Sequence, residues 1–341
     1  MVRQRTMIGC TLSWPKIHHM TKISIVREYR DKYPDFPNLK LARIIYNENK
    51  TVFTTIETVR KMILKIEGKG VSGTKVTHPK DARPYNPYKL PESDETAFDP
   101  YVLKGHKRIV GLFDIHAPYH SIPALSSALD YAKKEKVDGV VIGGDLFDFH
   151  GLSRFLKDPR KKNFAEELSI GCQVLEVIQK TLDCPIYFKY GNHDERYQHY
   201  LWQKLGELHG VEDFELNNMI TKRVSGIKFI TDKRIMKAND LNIVHGHEFA
   251  SSIISPVNIA RGLYLRAKAN TICGHHHRTS EHTEQNIEGK IVTTWSVGCL
   301  SELHPQYMPI NSWNHGFIVI DLHGNKDFEV RNKRIWKGQI L

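Results

Sequence analysis

Residues 108–116 read RIVGLFDIH, residues 138–148 read DGVVIGGDLFD and residues 185–194 read PIYFKYGNHD. Each is a short apolar run that stops at glycine or at a polar cluster, the pattern of a strand buried on both faces. Between them, SIPALSSALDYAKKEK (121–136) and NFAEELSIGCQVLEVIQK (163–180) carry apolar residues at helical spacing. Strand, helix, strand, helix, strand predicts an α/β domain. Working outward, DERYQHYLWQKLGEL (194–208) reads as a further helix, and LNIVHGH (241–247) and NTICGHH (270–276) as further buried strands. IKFI, GKIVTTWSV and HGFIVIDL make the last third strand-rich, which predicts a mixed sheet or a second packed sheet.

Five of these strands end in groups that can ligate a metal. They are Asp114-Ile115-His116, Gly144-Asp145-Leu146-Phe147-Asp148, Gly191-Asn192-His193-Asp194, His245-Gly246-His247 and Gly274-His275-His276-His277. In α/β proteins, the carboxyl ends of strands are where binding sites form. One such cluster is weak evidence; five in succession are strong. Carboxylate, imidazole and amide oxygen suit hard or borderline divalent ions and need no thiolate. Glycines before Asp145, Asn192 and His275 allow the sharp turns that let those side chains converge.

In order and spacing these clusters, DxH, GDxxD, GNH(D/E), H and GHxH, resemble the calcineurin-like metallophosphoesterases over about residues 107–325. The resemblance implies an α/β fold, a four-layer α-β-β-α sandwich, with a two-metal centre. It implies that Asp114, His116 and His277 hold one divalent ion, that Asn192, His245 and His275 hold the other, and that Asp145 bridges both. Manganese is the first candidate, with iron, zinc, magnesium or nickel as the others. His193 is expected near the leaving group, Asp194 orienting it, and Asp148 is expected to act on the ligands from behind. Two cations roughly 3.5 to 4 Å apart can hold a bridging hydroxide for in-line attack on a phosphoester. An imidazole can then protonate the departing oxygen.

Protein phosphatases of this superfamily carry an arginine before GNH and the sequence GDxxDRG. Here Tyr190 precedes Gly191, and Phe149-His150 follow Asp148. The departure favours the phosphodiesterase and nuclease branch, with Arg154, Arg196 or Arg278 as replacements for the missing arginines. Trp295, Tyr307 and Trp313, near the last ligands, are candidates to stack on a base or to pack in the core. The GNHDER continuation also resembles phosphoesterases encoded by phages.

The N-terminal fifth is different. Residues 1–70 hold 14 basic and 6 acidic side chains, a net +8, out of +11 for all 341 residues. Helices are expected over Lys22–Tyr33, over LKLARIIYN with Asn38 as its cap, and after a capping box at Thr54-Thr55-Ile56-Glu57. Three short helices with Arg60, Lys61 and Lys65 on the last resemble a helix-turn-helix DNA-binding unit, though such units also serve docking or dimerisation. The expected organisation is a basic arm at 1–19, a tri-helical domain at 20–70, a proline-rich linker at 71–105 and the phosphoesterase domain at 106–341.

At 40% hydrophobic and 26% charged, the composition excludes wholesale disorder, collagen and coiled-coil rods. Five scattered cysteines without a CxxC pair give neither a disulfide framework nor a zinc ribbon. Neither a secretory signal nor a membrane span is legible, so a cytoplasmic protein without a membrane partner is expected. The leading expectation is a two-metal phosphodiesterase or nuclease, its basic helices binding nucleic acid, DNA before RNA. The alternatives are a small-molecule nucleotide phosphoesterase with an N-terminal assembly domain, and a catalytically idle nucleic-acid-binding regulator.

Overall fold

The computed structural model describes residues 21–67, 86–91, 93–95, 98–249, 257–285 and 287–341. The basic arm expected at 1–19 and residues 71–85 of the expected linker lie outside them. The chain divides into two compact units between Ser93 and Asp94.

The first unit holds three helices, α1 (Lys22–Lys32), α2 (Asn38–Glu48) and α3 (Ile56–Ile66). Their inner faces share one small core of Ile25, Val26, Leu41, Ala42, Ile45, Phe53, Val59 and Ile63. Two caps differ from expectation. Thr55, not Thr54, accepts the Thr58 amide at 3.1 Å, while Glu57 turns to Arg60 instead of closing a box. Asn38 is the first residue of α2 rather than its cap, because its amide is held between Arg30 and Glu67. Arg30 also donates to the carbonyl of Phe36 at 2.8 Å, so one guanidinium closes the α1–α2 turn and reaches the end of α3. Lys61 and Lys65 are exposed on α3, and Arg60 is half-buried.

The second unit is built on two sheets. The first runs in the order β13, β12, β11, β2, β3, β4, β5, from β2 (Arg108–Leu112), β3 (Gly139–Ile142), β4 (Ile186–Lys189), β5 (Ile227–Ile230), β11 (His315–Leu322), β12 (Phe328–Trp336) and β13 (Gln339–Ile340). Strands β2 to β5 are parallel, and the hairpin strands join β2 antiparallel. The second sheet runs β1, β6, β7, β8, β10, β9, from β1 (Tyr101–Leu103), β6 (Met236–Ala238), β7 (Leu241–Ile243), β8 (Thr271–Cys273), β9 (Ser280–Gln285) and β10 (Ile291–Ser296). Phe113, Val141, Ile243, Ile272 and Ile318 form a core between the two sheets. The outer face of the first sheet packs on α4 (Ile122–Lys134) and α5 (Phe164–Leu182); that of the second packs on α8 (Ile259–Ala267). The result is the four-layer α-β-β-α sandwich expected from the sequence.

The segment expected as linker to residue 105 gives Tyr101–Leu103 to the second sheet, where it pairs with β6 in parallel. Its prolines end at Pro100, so nothing prevents the next three residues from joining the ladder. The helix read over 194–208 is α6 (Glu195–Lys204). No helix among the described residues is long and apolar enough to cross a membrane.

The inter-sheet core leaves no room beneath the site loops. A Cβ on Gly143 would overlap the Phe113 ring, whereas one on Gly151 would meet nothing within 4 Å. Thermal melts of Gly143→Ala and Gly151→Ala test this. The first is expected to lose about 1–3 kcal/mol through overpacking, and the second to stay within about 0.5 kcal/mol of wild type.

Candidate metal centre

Every ligand expected from the sequence follows the carboxyl end of a strand: Asp114 and His116 after β2, Asp145 after β3, Asn192 after β4, His245 after β7, and His275 and His277 after β8. The turns there are tight enough to force unusual backbone. Asp114, His116, Asp145, His275 and His277 adopt φ of 54°, 51°, 53°, 67° and 55°, in the left-handed region that β-carbon sterics disfavour. Each costs on the order of 1 kcal/mol or more and persists only when its surroundings hold it. The Asp114 amide donates to the carbonyl of Gly144 at 3.1 Å, and the His116 amide to that of Asp145 at 2.9 Å. The His275 amide donates to both carboxylate oxygens of Asp114, at 2.9 and 3.1 Å.

Three clusters with ligand atoms within 4.8 Å of one another result: Asp114–His116–His277, Asp145–His245–His275 and, sharing His116 with the first, His116–Asp148–His193; the first two are made of expected ligands. In the first, Nε2 of His277 lies 3.2 Å from Oδ1 of Asp114 and 3.2 Å from Nε2 of His116. In the second, Nε2 of His245 lies 3.2 Å from Oδ2 of Asp145 and 3.2 Å from Oδ1 of Asn192. The same Asp145 oxygen is 3.7 Å from Nε2 of His116. Asp145 therefore faces both clusters. Six of the seven expected ligands thus fall into the two groups, and Asn192 adjoins the second.

The donor set fits divalent cations. Imidazole nitrogens, carboxylates and an amide oxygen converge with no thiolate among them, as borderline and hard ions require. Two of the far nitrogens are fixed as well: Nδ1 of His245 donates to the carbonyl of Gly143 at 3.0 Å, which turns its Nε2 lone pair inward. Nδ1 of His116 faces Oδ1 of Asp148 at 3.1 Å. Burial opposes charge at His245 and His277, yet the carboxylates of Asp145 and Asp114 beside them carry each up to about 10. Burial and the charge on His245 push His275 down to about 3. Protein groups alone thus balance the acidic pair with imidazolium protons, which a cation would displace.

The loop carrying His193 departs from expectation. Asp194 does not touch the His193 ring. It is buried, and its carboxylate accepts the amides of Asp145 at 2.7 Å, Gly191 at 2.8 Å and Phe147 at 3.1 Å, tying the β3 and β4 loops together. Burial, followed by the neighbouring Asp145, raises Asp194 to about 8. Asp148 takes the orienting contact: its Oδ1 lies 3.0 Å from Nδ1 of His193 as well as 3.1 Å from His116. Arg196 completes the arrangement, donating to the carbonyl of Asp148 at 2.7 Å and standing 3.0 Å from Nε2 of His193. Among the three arginines expected as replacements, Arg196 is the one in contact with His193. Of the aromatic candidates, Trp295 is buried in the inter-sheet core and cannot stack on a ligand. The Trp313 ring packs 4.1 Å from that of His277, and Tyr307 stands next to it at 6.4 Å.

Lys189 and Glu248 do not appear among the residues expected at the site. Lys189, fully buried at the end of β4, sits 2.8 Å from Oε1 of Glu248. Glu248 accepts the amides of His245 at 3.0 Å and Gly246 at 2.6 Å, so the ion pair grips the loop that presents His245. Burial opposes its ionisation, but Lys189 holds it down at about 2. The sequence signal was a lysine inside the apolar run IYFKY.

The sequence model of the family described as calcineurin-like phosphoesterase matches residues 107–288. The Gene 54 protein of Mycobacterium phage L5 is 27% identical over 231 residues, covering 64% of this chain and 90% of its own length. That of Mycobacterium phage D29 is 25% identical over 232 residues, with the same coverage. Among solved structures, the E. coli phosphoesterase Yfce is 16% identical, covering 63% of this chain and 88% of its own, at a TM-score of 0.33.

Calorimetric titration of metal-stripped protein with Mn²⁺ is expected to give two ions per chain, and one per chain in His277→Ala. A single ion in the wild type, or two retained by the variant, contradicts the pairing. Lys189→Met strands a buried carboxylate and is expected to cost about 3–5 kcal/mol in thermal or denaturant melts. Lys189→Met combined with Glu248→Leu should recover part of that loss.

Proposed function

Because this chain belongs to the calcineurin-like phosphoesterase family, we propose that it is a metal-dependent phosphodiesterase acting on nucleic acid. The observation that carries the reading is the shared carboxylate: one oxygen of Asp145 faces His245 at 3.2 Å and His116 at 3.7 Å. In this reading Asp114, His116 and His277 hold one divalent ion, Asn192, His245 and His275 the other, and Asp145 contributes to both. Bound cations would supply Lewis acidity to the phosphoryl group and lower the pKa of the attacking water.

The chain's own residues do the rest. Asp148 accepts a hydrogen bond from Nδ1–H of His193, which leaves Nε2, met here by the Arg196 guanidinium, to exchange a proton with the leaving oxygen once that guanidinium turns to phosphate. Arg196, at 3.0 Å from that nitrogen, supplies a guanidinium to a phosphate oxygen where Tyr190 replaces the arginine of the protein phosphatases. The basic N-terminal segment, with Lys61 and Lys65 exposed on α3, supports a grip on polyanions outside the site.

A second reading, a nucleotide phosphoesterase whose helices serve assembly, draws on a groove of about 750 Å³ beside His116 and His277, the size of a small-molecule site. Substrate comparison separates the two. With Mn²⁺, kcat/KM for bis-p-nitrophenyl phosphate is expected to exceed that for p-nitrophenyl phosphate, and at least one of single-stranded DNA, duplex DNA or RNA is expected to be cut. His193→Ala should lower kcat about 10²-fold or more. Monoester preference with intact nucleic acids contradicts the proposal.

A further inference from the structure

The groove beside the first cluster has two unlike walls. At its floor lie His116, Asp148 and His277. One wall is the segment 154–162, RFLKDPRKK, with five basic residues and one acidic. Asp158 is already engaged by Arg160, at 2.8 and 2.9 Å, and Lys162 reaches Glu166. Lys157 and Lys161 form no ion pair among the described residues; their ammonium groups lie over the rings of Tyr200 and Tyr119 at 5.8 and 4.7 Å. Both line the groove.

The other wall is aromatic. Tyr307 is 67% exposed, and Trp313, packed on His277, stands beside it. Large apolar side chains also stand uncovered on both segments, Leu156 at 97% and Ile310 at 92% exposure. Ammonium groups and an open aromatic surface lining the same groove form the combination that grips a single strand, the cations holding phosphates and the ring a base face. In a duplex those base faces are already stacked, so Tyr307 would have nothing to cover.

We propose that this groove is a single-strand subsite, binding the phosphates next to the scissile bond through Lys157 and Lys161 and a neighbouring base through Tyr307. The inference rests on the phosphodiesterase reading and adds to it the form of the substrate. Tyr307 and the two lysines set specificity here, distinct from the ligands and from His193.

The test compares three proteins, each as the full Mn²⁺-loaded chain: Lys157→Ala/Lys161→Ala, Tyr307→Ala and Tyr307→Phe. Their substrates are a single-stranded oligonucleotide, the matching duplex and methyl p-nitrophenyl phosphate, which carries neither base nor second phosphate. Both alanine variants are expected to raise KM for the single strand about tenfold relative to KM for the small diester. Tyr307→Phe, which keeps the ring, should restore the wild-type ratio. In fluorescence anisotropy with a labelled oligothymidylate, the double variant should make the log–log salt slope shallower by about 1.4, as for two lost single-strand phosphate contacts. Parallel losses on both substrates, unchanged single-strand kinetics, or duplex bound as tightly as single strand each overturn the subsite. If the wild type cuts the duplex but not the single strand, the subsite falls and the phosphodiesterase reading stands; if it cuts the small diester alone, the nucleic-acid half of that reading falls with the subsite; if it cuts none of them, both fall.

Discussion

One buried carboxylate, that of Asp145, stands between His116, from the loop after β2, and His245, from the loop after β7 and more than a hundred residues later in sequence. Its Oδ2 meets His245 and His116, while its Oδ1 accepts the amide of His193 at 2.8 Å. A charge in that position is tolerable only with positive charge against it. Without cations, His245 and His277 must stay protonated beside Asp145 and Asp114. The site is therefore assembled around a demand for positive charge, and the surrounding backbone is bent to meet it.

That bending explains much of the scaffold. Five of the seven expected ligands lie at positive φ, and close-fitting glycines let those turns approach. A Cβ on Gly144 would overlap the His245 ring, one on Gly191 would overlap the Asp145 carboxylate, and one on Gly274 would come within 2.6 Å of Asp114. Asp194 and the Lys189–Glu248 pair, all buried or nearly so, hold the loops through their backbone amides. Buried polar groups with every partner in place specify one arrangement more firmly than apolar packing does, and the same low dielectric makes a missing partner costly.

How far the sequence could be read follows from this. The central strands were legible because both faces are buried, which leaves continuous apolar runs, and the ligands because they sit where those runs stop. β9 (SEHTEQ) was not, since an exposed edge strand carries polar residues and shows no apolar alternation. α8 was missed for its nine residues, too few to show a clear period. Side-chain duties at the site were harder still. Asp194 is adjacent to His193 in sequence yet points to backbone amides, while Asp148, 45 residues earlier, orients the ring. Trp295, left by the sequence between base stacking and core packing, lies in the inter-sheet core. The caps of α2 and α3 shifted because Asn38 and Glu57 found charged partners elsewhere.

The central claim is that Asp145 joins the two clusters into one site, so that two bound cations share a ligand. Electron paramagnetic resonance of the protein loaded with two equivalents of Mn²⁺ tests it most directly. A shared carboxylate predicts a multiline spectrum from exchange-coupled manganese, collapsing to the six-line signal of isolated ions in Asp145→Ala. Isolated six-line signals in the wild type at full loading would contradict the account.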